Sequence, residues 1–473
     1  MVRGKILAPI LDMNLNFLFP KARRDFAAAQ ECWRGMQARG DSDLSNLQLS
    51  KIQEVWRDAV RDVPYYGRLV KEGRAPSEIE SWEDFFKIPE LTREILQDHK
   101  EEFVRRSGPP DLWRMTGGST GNPVKFGVWN SEDAIIRMLK LVLWHRVGYS
   151  PSDRLFLIWG HSHLLGTGWR RYWNHFIRKA KDMALGYKRV DAYSLSPELC
   201  NKYAEELMRY RPAGLIGYSA VLDYFIRSLP EKWKDFKALG LKFVMPCAEP
   251  APREDSFELL GEVFGCPVIQ EFGGVDFGHV GMKLGTEPFQ VFSEYNFLET
   301  VEQTVSDVEE RLGNFKDAND SLPKLSDHGG AALVTSLYRR YLPLIRYRQG
   351  DILGGVHKSV KGHVISFETL HGRINDMVSL EDGTSVHSVA VFHCAHQEPS
   401  VLNIQMILED QGTRILLVTR NGYNSKVESL IMHRMRQISP LLGKAKIEAV
   451  EDLVTTRAGK RRWFVDLRKK GEA

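Results

Sequence analysis

Apolar residues in the first third of the chain recur with the spacing of helices. A helix is predicted over residues 46–62, because apolar side chains return there every three or four positions: Leu49, Ile52, Val55, Trp56 and Val60. A second helix is predicted from Ser131, as its capping residue, to about residue 146. Because this second segment is apolar on several sides, we expect it to be buried.

The middle of the chain alternates between short apolar runs and helical segments. Strands are predicted at 154–160, 214–218, 241–249 and 267–274. One helix is predicted to begin at Ser196-Pro197, with a capping residue and a first-turn proline, and another lies near 254–264. Strands that alternate with helices predict an α/β fold with a largely parallel sheet.

The last part of the chain has a different pattern. Strands are predicted at 331–337 and 342–352, followed by a hairpin at 401–408 and 414–420, a helix, and a strand at 446–454. The final segments form a compact α+β unit of roughly 100 residues, an ordinary domain size. We therefore predict two domains, residues 1–371 and 372–473, with the boundary near Gly372 to Asp376.

A glycine-rich segment, RMTGGSTGNPVKF, occupies residues 114–126. Glycines let backbone N–H groups approach a phosphate closely, and Ser and Thr add hydroxyl donors. The Gly-Lys-Ser/Thr of a Walker loop is not present at the required spacing. Taken alone, the segment is compatible with a phosphate-binding loop or with a flexible turn.

Five further segments have less specific patterns when each is considered alone. They are CAEP at 247–250, EFGGVDFGHVG at 271–281, SLYRRYLPLIRYRQGDI at 336–352, HGRINDMV at 371–378 and TTRAGKRRWFV at 455–465. Each has an ordinary structural explanation, such as a glycine turn, an edge strand or a solvated basic patch.

Together and in this order, these segments resemble the adenylate-forming enzymes, in the branch of the phenylacetate–CoA ligases. VPYYGRL at 63–69 and IPELTREIL at 88–96 look like the N-terminal region of the same branch. The resemblance implies a large N-terminal adenylate-forming domain with mixed sheets and flanking helices. It also implies a small α+β C-terminal lid domain.

The resemblance implies an ATP site built from several motifs. The glycine-rich loop would grip the β- and γ-phosphates through Thr116, Gly118, Ser119, Thr120 and Gly121. The adenine would lie along Ala248, Glu249 and Pro250, stacked on Phe272 and next to Gly273. Asp351 would accept hydrogen bonds from both ribose hydroxyls, and Arg373 would reach the ribose or a phosphate.

The catalytic residues that the resemblance implies include some departures from the family pattern. Asp276 stands where the family has a Mg²⁺-binding Glu, and a shorter carboxylate remains a suitable oxygen ligand. Lys460 would meet the substrate carboxylate and the α-phosphate, where negative charge develops. Asn375 occupies the hinge position of the lid, and Asn122 replaces a lysine that many members have after the loop.

The acid pocket is predicted from the resemblance and from strand ends. Tyr218 and Ser219 match a segment near the acyl pocket of this branch, and further candidates surround them: Trp159, His161, Gly274 and His279. The number of aromatic residues favours an aromatic acid. Two groups of histidines, one with Cys394, lack standard zinc spacing, and a structural zinc stays an alternative to surface or pocket histidines.

The resemblance implies an ATP- and Mg²⁺-dependent ligase that forms acyl-AMP and releases pyrophosphate. The acyl group would then pass to CoA, a carrier-protein thiol or an amine. Two alternatives stay open: a related enzyme that activates nitrite or forms an amide or N–N bond, and a nucleotide-binding homologue without catalysis. The expected partners are small molecules, and a homodimer is left open.

Composition limits the other classes. Hydrophobic residues at 43% and a net charge of +4, with both signs interspersed, are typical of a globular enzyme and do not favour nucleic-acid binding. Five cysteines without CxxC spacing do not suggest a disulfide framework. No run reaches the ~18 apolar residues of a membrane span, and Pro9 and Asp12 interrupt the N-terminal apolar segment. We therefore expect a cytoplasmic protein without a membrane partner.

Overall fold

The computed structural model describes most of the chain between residues 20 and 468. The described residues are 20–38, 40–115, 125–159, 168–192, 197–247, 251–253, 255–301, 330–359, 362–373, 377–380, 385–387, 391, 394–395, 398, 400–454 and 464–468. Within them, no helix is both long and apolar enough to cross a bilayer.

Twelve α-helices lie in the described residues. They are α1 (Pro20–Ala38), α2 (Asp41–Asp62), α3 (Pro64–Lys71), α4 (Trp82–Phe86), α5 (Arg93–Asp98), α6 (Asn130–Arg146), α7 (Gly168–Ala184), α8 (Pro197–Tyr210), α9 (Ser219–Arg227), α10 (Trp233–Lys237), α11 (Ser256–Phe264) and α12 (Ser425–Ile438). Short 3-10 turns span Pro230–Lys232 and Leu442–Lys444.

Twenty strands lie in the same residues. They are β1 (Leu91–Thr92), β2 (Leu112–Met115), β3 (Lys125–Val128), β4 (Leu155–Ile158), β5 (Tyr187–Val190), β6 (Gly214–Tyr218), β7 (Phe243–Cys247), β8 (Ile269–Gly274), β9 (Gly278–Leu284), β10 (Phe289–Val291), β11 (Asn296–Val301), β12 (Gly330–Ser336), β13 (Tyr347–Lys358), β14 (Val364–Arg373), β15 (Met377–Ser379), β16 (Ser385–His387), β17 (Val401–Glu409), β18 (Gly412–Thr419), β19 (Lys446–Val450) and β20 (Phe464–Asp466).

The two long helices predicted in the first third of the chain are confirmed. Helix α2 buries Ile52, Val55 and Trp56 and ends at the extended Val63, after which Pro64 opens α3. Helix α6 buries most of one side, as its apolar sequence predicted. The predicted cap at Ser131 is wrong, because α6 already begins at Asn130 and Glu132 accepts a hydrogen bond from the Trp129 N–H.

A four-stranded parallel sheet, in the order β5-β4-β6-β7, forms the middle of the chain. Strands β4, β6 and β7 are short, apolar and nearly fully buried, which is the pattern of a sheet covered on both faces, whereas the edge strand β5 is partly exposed. A single parallel bridge, Val244 to Val268, connects β7 to the segment that enters β8. The α/β prediction is confirmed for this part of the molecule.

An eight-stranded sheet accounts for most of the remaining N-terminal region. Its order is β11-β12-β13-β14-β10-β9-β8, with β1 beside β13, and all of its pairs except β1–β13 are antiparallel. The prediction of a largely parallel sheet is wrong here. Strands β8, β9 and β10 follow one another through short turns, and such connections require antiparallel pairing.

The C-terminal residues form a separate sheet, in the order β19-β18-β17-β20, with α12 beside it. The predicted hairpin at 401–420 is present as β17 and β18. Apolar residues of this sheet, among them Leu402 and Val418, join a cluster with Leu222 and Phe225 of α9. The domain boundary at 371/372 stays a prediction.

Candidate active site

The carboxyl ends of three parallel strands meet at one edge of the four-stranded sheet. Ile158 of β4 pairs with Gly217 of β6, and Tyr218 at the end of β6 pairs with Cys247 at the end of β7. Ligands of open α/β sheets bind at this edge, outside the carboxyl ends of the strands. The same edge therefore locates the candidate site.

Two predicted pocket residues are in contact there. The rings of Trp159 and Tyr218 are stacked, with centroids 4.5 Å apart and planes at 25°. The Trp159 N–H donates to the carbonyl of Val190, which fixes the backbone directly after β4. Ser219, also predicted, is the first residue of α9 and is buried.

The segment 271–281 forms β8, a tight turn and β9. Phe272, predicted to stack on a purine, is 1% exposed and lies in the core, edge-on to Phe367 at 5.5 Å. Gly273 cannot be replaced without movement, because a Cβ there would lie 2.5 Å from the carbonyl oxygen of Gly278. Gly274 ends β8 opposite Gly278. Contact of these residues with a nucleotide stays a prediction.

Asp276, Tyr347 and Asp351 are brought together from two distant motifs. The Tyr347 hydroxyl donates a 3.1 Å hydrogen bond to Oδ2 of Asp276. Asp351 lies four residues further along β13, is buried, and pairs across the sheet with Arg373 at the end of β14. The residues predicted to meet ribose and phosphate therefore pair in one sheet, and the residue predicted to meet magnesium is linked to the same strand through Tyr347.

The start of β13 is fixed by an unusual backbone conformation. The strand predicted over 342–352 begins only at Tyr347, because Arg346 has a positive φ of 49° that interrupts extended structure. Arg346 pairs with the buried Glu299 at 3.0 Å and donates to the carbonyls of Phe86 and Ile88. Burial raises the pKa of the Glu299 carboxyl, and the paired Arg346 opposes this rise.

The two N-terminal motifs support the same strand. The Tyr66 hydroxyl donates a 2.7 Å hydrogen bond to the carbonyl of Pro343. The Leu91 N–H donates to the carbonyl of Arg346, and β1 runs parallel to β13 from that point. The segments 63–69 and 88–96 therefore position the motif that contains Asp351.

A polar cluster, of which the sequence predicted only His279 as a pocket residue, lies near Cys247 at the end of β7. It consists of Glu271 on β8, His279 on β9 and Lys140 on α6, with Nδ1 of His279 3.8 Å from Oε2 of Glu271. Burial lowers the pKa of His279, and Lys140 adds to this effect while Glu271 opposes it. Burial opposes the charge of Lys140, but the nearby Glu271, Cys247 and Tyr187 together outweigh it and raise the pKa of Lys140.

Arg339 is a second residue that sequence reasoning missed. Its side chain is 0% exposed, and in the described part of the chain none of its three guanidinium nitrogens has a hydrogen-bond partner. The guanidinium lies 5.3 Å from the ring centroid of Phe126, on the strand that follows the glycine-rich segment. In the sequence, Arg339 is one of several basic residues in 336–352, and only its burial in the folded protein distinguishes it from the others.

Many of the predicted site residues lie outside the described part of the structure. They are Thr116, Gly118, Ser119, Thr120, Gly121, Asn122, His161, Ala248, Glu249, Pro250, Asn375, Lys460 and the side chain of Arg373.

Strands β2 and β3 pair on either side of the glycine-rich segment. The segment with Lys460 lies between Val454, which exchanges two hydrogen bonds with the Gln405 side chain, and β20, which pairs with β17.

Metal ligation was tested over the part of the chain that the structure describes. There, no three His, Cys, Asp or Glu side chains come close enough together to bind one metal ion. Cys394, considered as a zinc ligand, is buried, and burial raises the pKa of its thiol to about 11. The neighbouring His393 and His396 lie outside the described residues.

Comparison with known proteins identifies the fold. Neither a family model nor a curated protein matches this chain. The structure of 2-hydroxyisobutyryl-CoA ligase in the postadenylation state with 2-HIB-AMP is similar at a TM-score of 0.62, with 17% identity over 89% of each chain. The same ligase with 2-HIB-AMP and CoA, in the thioesterification state, is similar at 0.53, with 18% identity over 90% of each chain. As the sequence motifs predicted, the chain has the fold of the adenylate-forming enzymes.

Proposed function

We propose that this protein is an ATP-dependent ligase that converts a carboxylic acid into an acyl-adenylate. The hydrogen bond from Tyr347 to Asp276, together with Asp351 four residues further along β13, supports this most directly. Motifs that are separated by some seventy residues of chain thereby supply oxygen ligands to one region. We propose that ATP binds along these residues and that the acid binds at the stacked Trp159–Tyr218 pair.

We propose that Asp351 binds the ribose of ATP. A buried carboxylate with two acceptor oxygens suits the two hydroxyls of a ribose. Its cross-strand neighbour, Arg373, has a donor-rich side chain that is suited to the adjacent phosphate.

Asp276 is proposed as the Mg²⁺ ligand. Mg²⁺ prefers oxygen ligands and often takes one carboxylate together with substrate phosphates. Oδ2 of Asp276 accepts the Tyr347 hydroxyl, and the described residues provide no hydrogen bond to Oδ1. The residue therefore fits the ion, which when bound neutralises phosphate charge.

The buried charge of Arg339 is evidence that the ligand is a polyanion. An ion in the protein interior without a partner is costly, so buried charges are normally paired. Arg339 has no hydrogen-bond partner among the described residues, and it lies against Phe126 of β3, which follows the glycines of the loop. We propose that its counter-charge is supplied by the phosphates of ATP.

The reaction needs no covalent enzyme intermediate. A carboxylate oxygen of the acid attacks the α-phosphorus of ATP, the bond to the β-phosphate bridging oxygen breaks, and pyrophosphate leaves with its electron pair. Positioning and charge neutralisation supply the rate. Lys460 is proposed to neutralise charge at the α-phosphate, and the glycine-rich loop, through Thr116, Ser119 and Thr120, to bind the leaving phosphates.

The second half-reaction transfers the acyl group to CoA or to another thiol or amine. The C-terminal sheet would rotate about Asn375 between the two steps. In this structure it is docked on the N-terminal region, where Arg253 donates to the carbonyl of Val401 and Arg420 to that of Arg227. Such a rotation exchanges these two contacts, together with the Leu402–Val418 face, for others.

An acid-dependent exchange assay tests the proposal. Labelled pyrophosphate is incubated with the protein, ATP, Mg²⁺ and single acids, with aromatic acids first because of the Trp159–Tyr218 pair. We expect label in ATP only when an acid and Mg²⁺ are both present. ATP binding without exchange for any acid of a broad panel would contradict the proposal.

A further inference from the structure

The polar cluster of Glu271, His279 and Lys140 lies near Cys247, at the carboxyl end of β7. Val244 bridges to Val268, so the ends of β7 and β8 run side by side and place Glu271 near Cys247. Cys247 packs in one hydrophobic cluster with Trp159 and Ile136. Glu271 is therefore a neighbour of the aromatic pair that the acid is proposed to meet.

Glu271 is only partly satisfied in this position. Its Oε2 faces His279 at 3.8 Å, which is too long for a hydrogen bond, and its side chain is 17% exposed. Its Oε1 is buried and has no hydrogen-bond partner among the residues that the structure describes. A buried acceptor without a donor costs free energy, so a native protein retains one where a ligand or water supplies the donor.

The charges around Glu271 restrict the donor. Lys140 provides one positive charge against the Glu271 carboxylate, and burial favours neutral His279. The positive charge of Lys140 therefore balances the negative charge of Glu271. An ammonium group on the substrate would face Lys140, and a second carboxylate would face Glu271, so both are disfavoured. A neutral hydroxyl disturbs neither charge.

Within the proposed ligase activity, we infer that the acid is a hydroxy acid whose hydroxyl group donates a hydrogen bond to Oε1 of Glu271. The stacked rings of Trp159 and Tyr218 provide a flat apolar surface, and Tyr218 pairs with Cys247, the neighbour of Glu271. A hydroxyaryl carboxylic acid combines the two features. Glu271 is then a specificity-determining residue, and Lys140 positions it and balances its charge.

Matched pairs of acids test this inference. Pyrophosphate exchange is measured with benzoate against 3- and 4-hydroxybenzoate, and with phenylacetate against 4-hydroxyphenylacetate. We expect kcat/KM to be at least about tenfold higher for the hydroxy acid of one pair, because a hydrogen bond to a charged acceptor is gained. In Glu271→Leu, this preference between the two acids of a pair should disappear, whatever the absolute rate of the variant.

Two further variants separate specificity from folding. Glu271→Gln keeps the shape and one acceptor oxygen but loses the charge, so it should retain a reduced preference. Glu287→Gln, at an exposed residue paired with Arg146, is the surface control and should behave as wild type.

The outcomes separate this inference from the proposed function. Equal use of hydroxy and unsubstituted acids by the wild type would overturn the inference and leave the ligase intact. A preference that survives in both Glu271 variants would also overturn it. Exchange with none of the acids would instead count against the ligase itself.

Discussion

Replacement of Tyr347 by Phe would remove one hydroxyl group and leave the packing of the ring in place. The ring is buried beside Phe277, at 6.2 Å between centroids, and Phe can keep this contact. The lost interaction is the 3.1 Å hydrogen bond to Oδ2 of Asp276. Hydrogen bonds to charged groups contribute about 1.5–3 kcal/mol, and the partial exposure of Asp276 favours the lower end.

About 1.5 kcal/mol corresponds to roughly a tenfold change in an equilibrium constant. Because Tyr347 orients the carboxylate that is proposed to bind Mg²⁺, we expect the apparent affinity for Mg-ATP to fall by about tenfold in Tyr347→Phe. The assay is pyrophosphate exchange measured over a series of Mg²⁺ concentrations. High Mg²⁺ should restore much of the lost rate.

Tyr66→Phe is the matched control for this experiment. It also removes one buried hydroxyl, from a 2.7 Å hydrogen bond to Pro343 in the same motif, but this bond is remote from Asp276. We expect a loss of about 1–2 kcal/mol in the free energy of unfolding and an unchanged Mg²⁺ dependence. The reasoning is refuted if the two variants shift the Mg²⁺ dependence equally, or if Tyr347→Phe does not shift it.

Three other predictions follow from the remaining site residues. Arg339→Met should weaken ATP binding, as measured by calorimetry. It should not lower the melting temperature of the protein without ATP, because it removes a buried charge that has no hydrogen-bond partner among the described residues. A lower melting temperature with unchanged ATP affinity would contradict this prediction. The folded-state pKa of His279 is depressed below its ordinary 6.5, so the unfolded state takes up the proton first and stability is lost as pH falls below that value. In urea unfolding, His279→Asn should therefore lose less stability than wild type between about pH 7.5 and pH 5, and an equal loss would argue against a buried neutral histidine. Lys460→Ala should abolish adenylation but retain acyl transfer from preformed adenylate, whereas loss of both half-reactions would contradict its proposed role.

The local sequence pattern was sufficient to predict several elements of the fold. The run at 214–218 is a strand with the predicted bounds, and the hairpin at 401–420 is present, because both depend on neighbouring residues only. The antiparallel sheet was not predicted, because alternation of strands and helices does not specify how β8 to β14 pair. The late start of β13 depends on the tertiary contacts of Arg346, which no window of sequence contains.

Some residues of the candidate site could likewise be predicted from the sequence, and others could not. Asp276, Asp351 and Arg373 were found from motifs whose chemistry is visible in the residues themselves; the structure pairs Asp351 with Arg373 and bonds Asp276, in the turn after β8, to Tyr347 of β13. Glu271 and Arg339 were missed because polar residues are common in sequence and only their burial is unusual. Folding, rather than composition, distinguishes a buried unsatisfied atom from a solvated one.

The fate of the carboxylate oxygens tests the central claim most directly. An acid that is active in the exchange assay is labelled with heavy oxygen in its carboxylate and incubated with the protein, Mg-ATP and hydroxylamine as acceptor. Formation of an acyl-adenylate predicts that one labelled oxygen appears in AMP, as detected by mass spectrometry. Formation of ADP with labelled inorganic phosphate, or of AMP without label, would contradict the account.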